Sequence, residues 1–479
     1  MNRQIAWLFG VVILLFAVLA IWTGRWSVLQ ADSLKKETLN RRPLLEQQQV
    51  PRGTILASDG TKLAVNRRIG TRQTRRYYRS YPTGGLFGAE VGYSFVSSGD
   101  SGLEKSYNDE LSGSSDKQLS SFFDQLGGGP KEGDDLRTNL DPNAQREALA
   151  GLAGRAGAVV ALEPQTGRVR VMANVPGFNP NGVPQQLKQL NKGQGGSLLN
   201  RATQAQYPPG STMKVVTSAA ALDSGLYKPD SFISGRDGVV ISGVPLHNYG
   251  GENFGSISLT DALTNSVNTV FGQIGEKLGK STMLKYMRRF GFQRQLPVDL
   301  PSSQVAIAGV LKPPRPLSAG DNWDVGRVAI GQEPHLFVTP LQMAMVAAAV
   351  GNKGVMMRPL LGDKVIRPDG RLRTSIRPRE QSVVMSESAA SDLAGMMTNV
   401  VKSGTGTGGA LSGIQVAGKT GTADNPKGGN YAWFIAFAPV KDPKVAVAVV
   451  VEQTNQSQTG GEVAAPIAAR VMRAVLGHG

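Results

Sequence analysis

Three short patterns in the chain combine residue types that can move an acyl group. Ser-x-x-Lys occurs at Ser33/Lys36, Ser114/Lys117 and Ser211/Lys214. The first lies close to an apolar N-terminal run and the second sits in a Ser- and Gly-rich turn region. The third follows Tyr207-Pro208-Pro209-Gly210 and opens an apolar helical run, VVTSAAAL, at 215–222. A spacing of three on a helix stacks the amine over the hydroxyl, and a helix N-terminus places partial positive charge where an alkoxide develops. An amine held against Val215, Ala219 and their neighbours is desolvated, which lowers a lysine pKa until it serves as a base near neutrality. Ser211 is therefore the candidate nucleophile and Lys214 its base.

Ser-x-Asn occurs at Ser106/Asn108 and at Ser266/Asn268, the latter within LTDALTNSVNTVFG at 259–272. A second hydroxyl and an amide facing one way can relay a proton and hold a substrate amide. Lys-[Ser/Thr]-Gly also occurs twice. Lys402-Ser403-Gly404 closes a helical stretch at 387–401, where Lys followed by Gly is an ordinary C-terminal signal. Lys419-Thr420-Gly421 lies instead on a strand pattern, IQVAGKTGTA at 414–423. There Gly421 admits a ligand backbone, while Lys419, Thr420 and Thr422 can grip a carboxylate. Each pattern recurs elsewhere in the chain, so only their combination carries weight.

Positioning these groups calls for a sheet with helices packed on it. Asp141-Pro142 opens an Ala-rich helix through Leu152, with Pro at the first helical position. Ala156–Leu162 and Arg168–Ala173 read as a hairpin across a Pro-Gln-Thr-Gly turn. Tyr431–Ala438 and Lys444–Val451 read as further strands, and a closing helix is expected from about Val463 to Leu476. Strand pairs from both ends of one unit with helices between them predict an α+β domain, an antiparallel sheet flanked by helices. Residues 25–140 are polar and strand-like, with turns at Ser58-Asp59-Gly60 and Thr83-Gly84-Gly85. They predict a small, extended β-rich module, with Gly127-Gly128-Gly129-Pro130 as the joint to residues 141–479.

With 479 residues the chain has room for about three units. Lys+Arg number 52 against 36 Asp+Glu, a formal charge of +16, which calls for an anionic partner or surface. No Cys is present, which removes disulfides, thiol nucleophiles and Cys-ligated zinc, and His247, His335 and His478 are the only histidines. A metal site is not expected. His247 lacks the sequence context of a carboxylate-His-Ser system and is not expected to be catalytic.

Ile5–Trp22 is uncharged and spans about 27 Å as a helix, close to the thickness of a bilayer core. Its length exceeds the apolar region of a cleaved signal, and Val18 and Ala20 match a cleavage site poorly, so residues 1–24 are expected to form a short cytoplasmic tail and a single-pass anchor. A four-residue head before such a long tail favours an extracellular or periplasmic location for the rest. Nucleic acid is then not an expected partner. Six arginines between 67 and 79, interleaved with Tyr77 and Tyr78 and followed by Tyr81, read as a solvated strand face, with contact to anionic lipid or wall polymer as the alternative.

The order Ser211, Ser266, Lys419 reproduces the active-serine signature of penicillin-binding proteins and β-lactamases. Over roughly residues 140–479 the chain resembles the transpeptidase unit of penicillin-binding proteins. Asn200-Arg201-Ala202, Ile330-Gly331-Gln332, Thr339-Pro340-Leu341-Gln342-Met343-Ala344 and Ala432-Trp433-Phe434 resemble the usual surroundings of that site. The first module resembles that of the class B, monofunctional type, a pedestal or dimerisation-like module, through Arg52-Gly53-Thr54-Ile55, Asp59-Gly60, Tyr81-Pro82, Val91-Gly92-Tyr93 and Gly102-Leu103-Glu104-Lys105 with Tyr107. The chain most resembles the penicillin-binding protein A types, and departs from longer relatives in lacking an appended C-terminal wall-binding module.

The resemblance implies a peptidoglycan D,D-transpeptidase of cell-wall synthesis. A stem peptide ending in D-Ala-D-Ala acylates Ser211, D-Ala leaves, and an amine of a neighbouring strand takes the acyl group. Lys214 would receive the Ser211 proton, and Ser266 with Lys419 would return a proton to the leaving amine. Asn268 would bind the peptide, Thr420 and Thr422 its carboxylate, and the N–H groups of Ser211 and Thr422 the oxyanion, each donor being worth about 3–4 kcal/mol. No cofactor or metal is implied. β-Lactams would acylate Ser211, and a membrane complex for elongation or division is the expected partner. Arg52 and Glu104 are expected to pair between the two units. Two other readings remain at this stage. A β-lactam-hydrolysing enzyme would need a water-activating Glu, and no Glu-x-x-Leu-Asn lies between Asn268 and Lys419. A β-lactam-binding membrane sensor would need an output region that four residues before the anchor do not supply.

Overall fold

The apolar N-terminal run forms one helix, α1 (Asn2–Gly24), whose large side chains, Trp7 and Phe16 among them, are exposed throughout. It is long and apolar enough to cross a membrane. The computed structural model describes residues 2–25, 48–71, 74–114, 132–192, 197–312, 315–426, 428–453 and 458–477. Ser33/Lys36, Lys117, Arg72, the Gly127–Pro130 joint and His478 lie outside the described residues.

In the N-terminal module β1 (Ile55–Leu56), β2 (Lys62–Ile69), β3 (Arg76–Ser80) and β4 (Asp135–Thr138) share one sheet. Arg67 and Arg68 on β2 are exposed, as a solvated strand face requires, but Arg79 on β3 is buried. Its guanidinium meets Glu104 at 2.5 Å, and Arg52 meets the same fully buried carboxylate at 2.7 Å. Burial alone would raise the Glu104 pKa, but Arg79 and Arg52 together hold it below the ordinary value. Asn108 Oδ1 accepts from Arg52, so the first Ser-x-Asn pattern is structural. The expectation of a pair bridging the two units is thereby corrected: both cations and the carboxylate belong to one module. Two arginines on a buried carboxylate close that module's interior, where an unpaired charge would cost several kcal/mol.

The contacts between units are different ones. Tyr107 Oη donates to Asp299 Oδ2 at 2.7 Å, and the Asp299 carboxylate also accepts from the N–H groups of Leu361 and Gly362. Asn174 Nδ2 donates to the buried Glu90 at 2.8 Å.

The C-terminal part begins with α2 (Pro142–Leu152), capped by Asp141, whose side chain accepts from Asn143 N and Ala144 N. Then follow β5 (Gly157–Leu162), β6 (Val169–Val175), α3 (Lys214–Asp223), α4 (Leu259–Thr264), α5 (Asn268–Arg289) and α6 (Pro340–Gly351). β7 (Gly362–Ile366) and β8 (Leu372–Ser375) extend the N-terminal module's sheet, in the order β8-β7-β4-β1-β2-β3. The last elements are α7 (Glu387–Ser403), β9 (Ala417–Asp424), β10 (Asn430–Ala438), β11 (Val445–Glu452) and α8 (Gly460–Leu476). α8 starts earlier than the apolar pattern predicts because Thr459 and Glu462 form a capping box.

The central sheet has the order β9-β10-β11-β5-β6 and every pairing is antiparallel, as expected. Strands β5, β10 and β11 are apolar at nearly every position because both faces are buried, whereas the edge strand β9 carries Lys419, Thr420 and Thr422. Val159, Ala161, Phe434, Ala436, Val447 and Val449 face the core shared with α2 and α8. Val160, Trp433, Ile435, Phe437, Ala446 and Ala448 face the larger core shared with α3, α5 and α6. β9, at the edge, leaves one row of backbone groups unpaired within the sheet.

Candidate active site

Ser211 lies in a single 3₁₀ turn, Gly210–Met213, directly before α3. Three backbone segments meet behind it. Gly210 has φ +53°, and a Cβ there would lie 2.6 Å from the Thr422 carbonyl oxygen. Gly331 has φ +79°, and its Cβ would lie 1.9 Å from the Gly210 carbonyl oxygen. No side chain fits at either position, which gives Tyr207–Gly210 and Ile330–Gln332 their glycines. Trp433 Nε1 donates to Pro208 O at 3.0 Å and its ring stands edge-on to Tyr207, centroids 5.9 Å apart, so β10 braces the approach to the serine.

Lys214 is fully buried. Its Nζ lies 2.5 Å from Ser266 O, 2.8 Å from Asn268 Oδ1 and 3.2 Å from Ser266 Oγ, and 5.5 Å from the centroid of the Phe271 ring. The expectation that the amine rests on Val215 and Ala219 is corrected. A buried amine needs acceptors for its N–H groups, and the turn between α4 and α5 supplies them. Among the described residues no hydrogen bond joins Ser211 Oγ to Lys214 Nζ. A neutral amine can donate along the two shortest contacts and keep its lone pair for a hydroxyl. Burial first, and then repulsion from Lys419, push the Lys214 pKa well below 10.5.

Ser266 holds this turn in a left-handed conformation, φ +60°, which non-glycine residues rarely adopt. Its hydroxyl accepts from Lys419 Nζ at 2.9 Å, and the same amine donates to Thr420 O at 2.9 Å. Lys419 is also fully buried, and burial lowers its pKa to about 7. β9 is the edge strand of the central sheet, so its outer row of backbone groups has no strand partner there. Thr420 Oγ1 lies 2.6 Å from Thr405 Oγ1, and Thr422 Oγ1 accepts from Gly460 N.

These groups border a cleft of about 360 Å³, lined by Ser211, Ser266, Asn268, Thr420, Gly421 and Thr422. Lys214 and Lys419 reach it from behind through Ser266. The competing patterns do not converge: Lys402 is exposed at the end of α7, and Ser114 Oγ contacts Ser112 Oγ. Among the described residues no group of three His, Cys, Asp or Glu side chains is placed to hold a metal. His247 does have a carboxylate partner, Asp237 at 2.9 Å, which the sequence did not suggest, but the ring is exposed and no serine hydroxyl among the described residues meets it.

Sequence reasoning missed Asn248, Tyr249, Glu252, Phe254 and Thr405, which also line the cleft, while Gln332 of the Ile330-Gly331-Gln332 segment lines it too. None belongs to a catalytic pattern. Asn248 is buried, accepts from Thr269 N and Oγ1, and donates to Gly235 O and Glu252 O, tying the 248–254 loop to the first turn of α5.

Comparison with known proteins follows the two units. Residues 157–473 match the penicillin binding protein transpeptidase domain, and residues 52–136 match the penicillin binding protein A dimerisation domain. The peptidoglycan D,D-transpeptidase PbpA of Mycolicibacterium smegmatis is 33% identical, with 94% of each chain covered. PbpA of Mycobacterium tuberculosis is 33% identical over 99% of each chain. Penicillin-binding protein A from M. tuberculosis, solved as a ceftriaxone acyl-enzyme complex, superposes with a TM-score of 0.81 at 33% identity, covering 90% of this chain and all of that one.

Proposed function

The chain belongs to the penicillin-binding protein transpeptidases, and from that membership we propose how its residues divide the reaction. It is a serine-type peptidoglycan D,D-transpeptidase of cell-wall synthesis, acylated by stem peptides and by β-lactams. The observation that carries the site assignment is the meeting of Lys214 Nζ and Lys419 Nζ on Ser266 Oγ, beside Ser211 in one cleft.

Ser211 Oγ attacks the carbonyl between the two D-Ala residues as its proton passes to the neutral Lys214 amine. The oxyanion forms against the N–H groups of Ser211 and Thr422, a reading that the close approach of Gly210 to the Thr422 backbone supports. As the C–N bond breaks, the proton returns through Ser266 Oγ, polarised by Lys419, to the departing amine. Asn268 holds the peptide amide, and the Thr420–Thr422 edge holds the terminal carboxylate. An amine of a neighbouring strand then reverses the sequence, losing its proton along the same route and freeing Ser211 as the crosslink forms.

Three parts serve this: an anchor at 1–24, a pedestal at 25–140 and the transpeptidase domain at 141–479. α1 is consistent with a single-pass anchor that holds the domain outside the cell membrane, in reach of the wall polymer and of a membrane synthase complex for elongation or division. Labelling of the full chain in detergent with a fluorescent penicillin tests the nucleophile. Wild type labels, Ser211→Ala does not, and Ser33→Ala and Ser114→Ala label as wild type. Labelling that persists in Ser211→Ala overturns the assignment.

A further inference from the structure

One wall of the cleft carries a feature that the reaction as derived does not use. The loop 248–254 presents Tyr249, 80% exposed, together with Glu252 and Phe254 to the same cavity as Ser211. Glu252 is the only carboxylate among the described residues lining that cavity. It has no ion pair within the described residues. A free carboxylate at the mouth of the cleft is conspicuous in a chain of formal charge +16.

The loop is built rather than loose at its base. Asn248 clamps the Glu252 carbonyl to the first turn of α5, which also carries Asn268, and Asp237 accepts from Asn248 N at 2.7 Å. Asn268 Nδ2 in turn donates to His247 O at 3.0 Å. The loop backbone that carries Tyr249 and Glu252 is thus tied to α5 and to Asn268, the residue assigned to the peptide amide.

We propose that Glu252 and Tyr249 form a subsite for the primary ammonium group of the stem peptide, the carboxylate by charge-assisted hydrogen bonding and the ring by cation–π contact. The inference rests on the transpeptidase reading. Both strands of a crosslink are the same polymer, so the amine that attacks from one is carried unreacted by the other. In the donor the ammonium remains a spectator; in the acceptor it sheds its proton to solvent before entering the site as the nucleophile.

The test uses the full chain in detergent and synthetic stem peptides, with penicillin G, which carries no amine, as the control. In the donor arm, D-Ala release is compared for peptides with a free and with an acetylated side-chain amine. In the acceptor arm, the apparent KM for a free-amine acceptor is read from the partition of the acyl-enzyme between transfer and hydrolysis. Wild type prefers the free amine, and Glu252→Gln and Tyr249→Leu each lose roughly three- to tenfold in the arm that uses the subsite, at unchanged kcat. Glu252→Asp recovers part of the loss, and rising salt erodes the wild-type preference. Penicillin G acylates all variants at the wild-type rate. Unchanged behaviour of Glu252→Gln in both arms, or an equal fall in its penicillin acylation, overturns the subsite. Failure of penicillin G to acylate the wild type would instead overturn the transpeptidase reading.

Discussion

Lys214 and Lys419, more than two hundred residues apart in sequence, converge on one hydroxyl: their Nζ atoms lie 3.2 Å and 2.9 Å from Ser266 Oγ. Both are fully buried. Burial lowers the proton affinity of both amines, and the charge of Lys419 lowers that of Lys214 further. In the proposed mechanism this pair supplies the neutral amine for acylation.

Replacing Lys214 by Arg keeps length and hydrogen-bond donors but fixes the charge, since a guanidinium does not deprotonate in this range. The acylation rate with a fluorescent penicillin should fall by about 10²–10⁴-fold, the usual contribution of a positioned base. A rate within a few fold of wild type would remove Lys214 from the base role.

The pH profile carries the sign of the coupling. Lys214 is active when neutral, so acylation should rise with pH through its folded pKa, which lies well below 10.5, and be largely developed before free lysine begins to deprotonate. Lys419→Met removes the neighbouring positive charge, whose effect is to lower that pKa. The acid limb should therefore move to higher pH in the variant, alongside a lower plateau. Stopped-flow acylation from pH 5 to 10 reads both, and a limb that moves to lower pH would contradict the coupling.

Glu90 titrates in the opposite sense to most carboxylates. Burial raises its pKa from 4.5 to about 8 against the hydrogen bond from Asn174. The folded state then binds a proton that the unfolded state releases, so stability is full below about pH 4.5 and declines as the pH rises toward about 8. Denaturant titrations across this window should show that slope, and Glu90→Gln should flatten it.

Glu104→Gln leaves the buried Arg79 and the half-buried Arg52 without their carboxylate and should cost about 3–5 kcal/mol. Exchanging the charges of Arg52 and Glu104 should not restore the loss, because Arg79 would then face a buried arginine. Urea unfolding of the single, exchanged and wild-type chains decides this. Recovery in the exchanged chain would mean that Arg79 does not share the pair.

The sequence made strands β5, β10 and β11 of the central sheet legible because they are apolar at nearly every position, and the β5–β6 turn carries proline and glycine. Ser211, Ser266 and Lys419 emerged because their patterns fell on a helix start, a loop and a strand, whereas the duplicates at 33, 114, 106 and 402 lacked such settings. Other features depend on long-range contact and leave no local trace. The left-handed Ser266, the direction of the Lys214 amine and the entry of β7 and β8 into the N-terminal sheet belong to this class. Arg79 was hidden for another reason: an arginine-rich strand reads as solvated until Glu104 turns one member inward. Glu252 and Tyr249 sit in a glycine-rich loop with no catalytic pattern, and only the clamp by Asn248 reveals which wall they occupy.

Intact-mass and peptide mass spectrometry of the detergent-solubilised chain, soaked in penicillin G, addresses the catalytic serine without an intermediate assumption. The account predicts one acyl adduct, carried by Ser211 in the fragment that contains Tyr207–Lys214. An unmodified chain, or an adduct on any other serine, would contradict it.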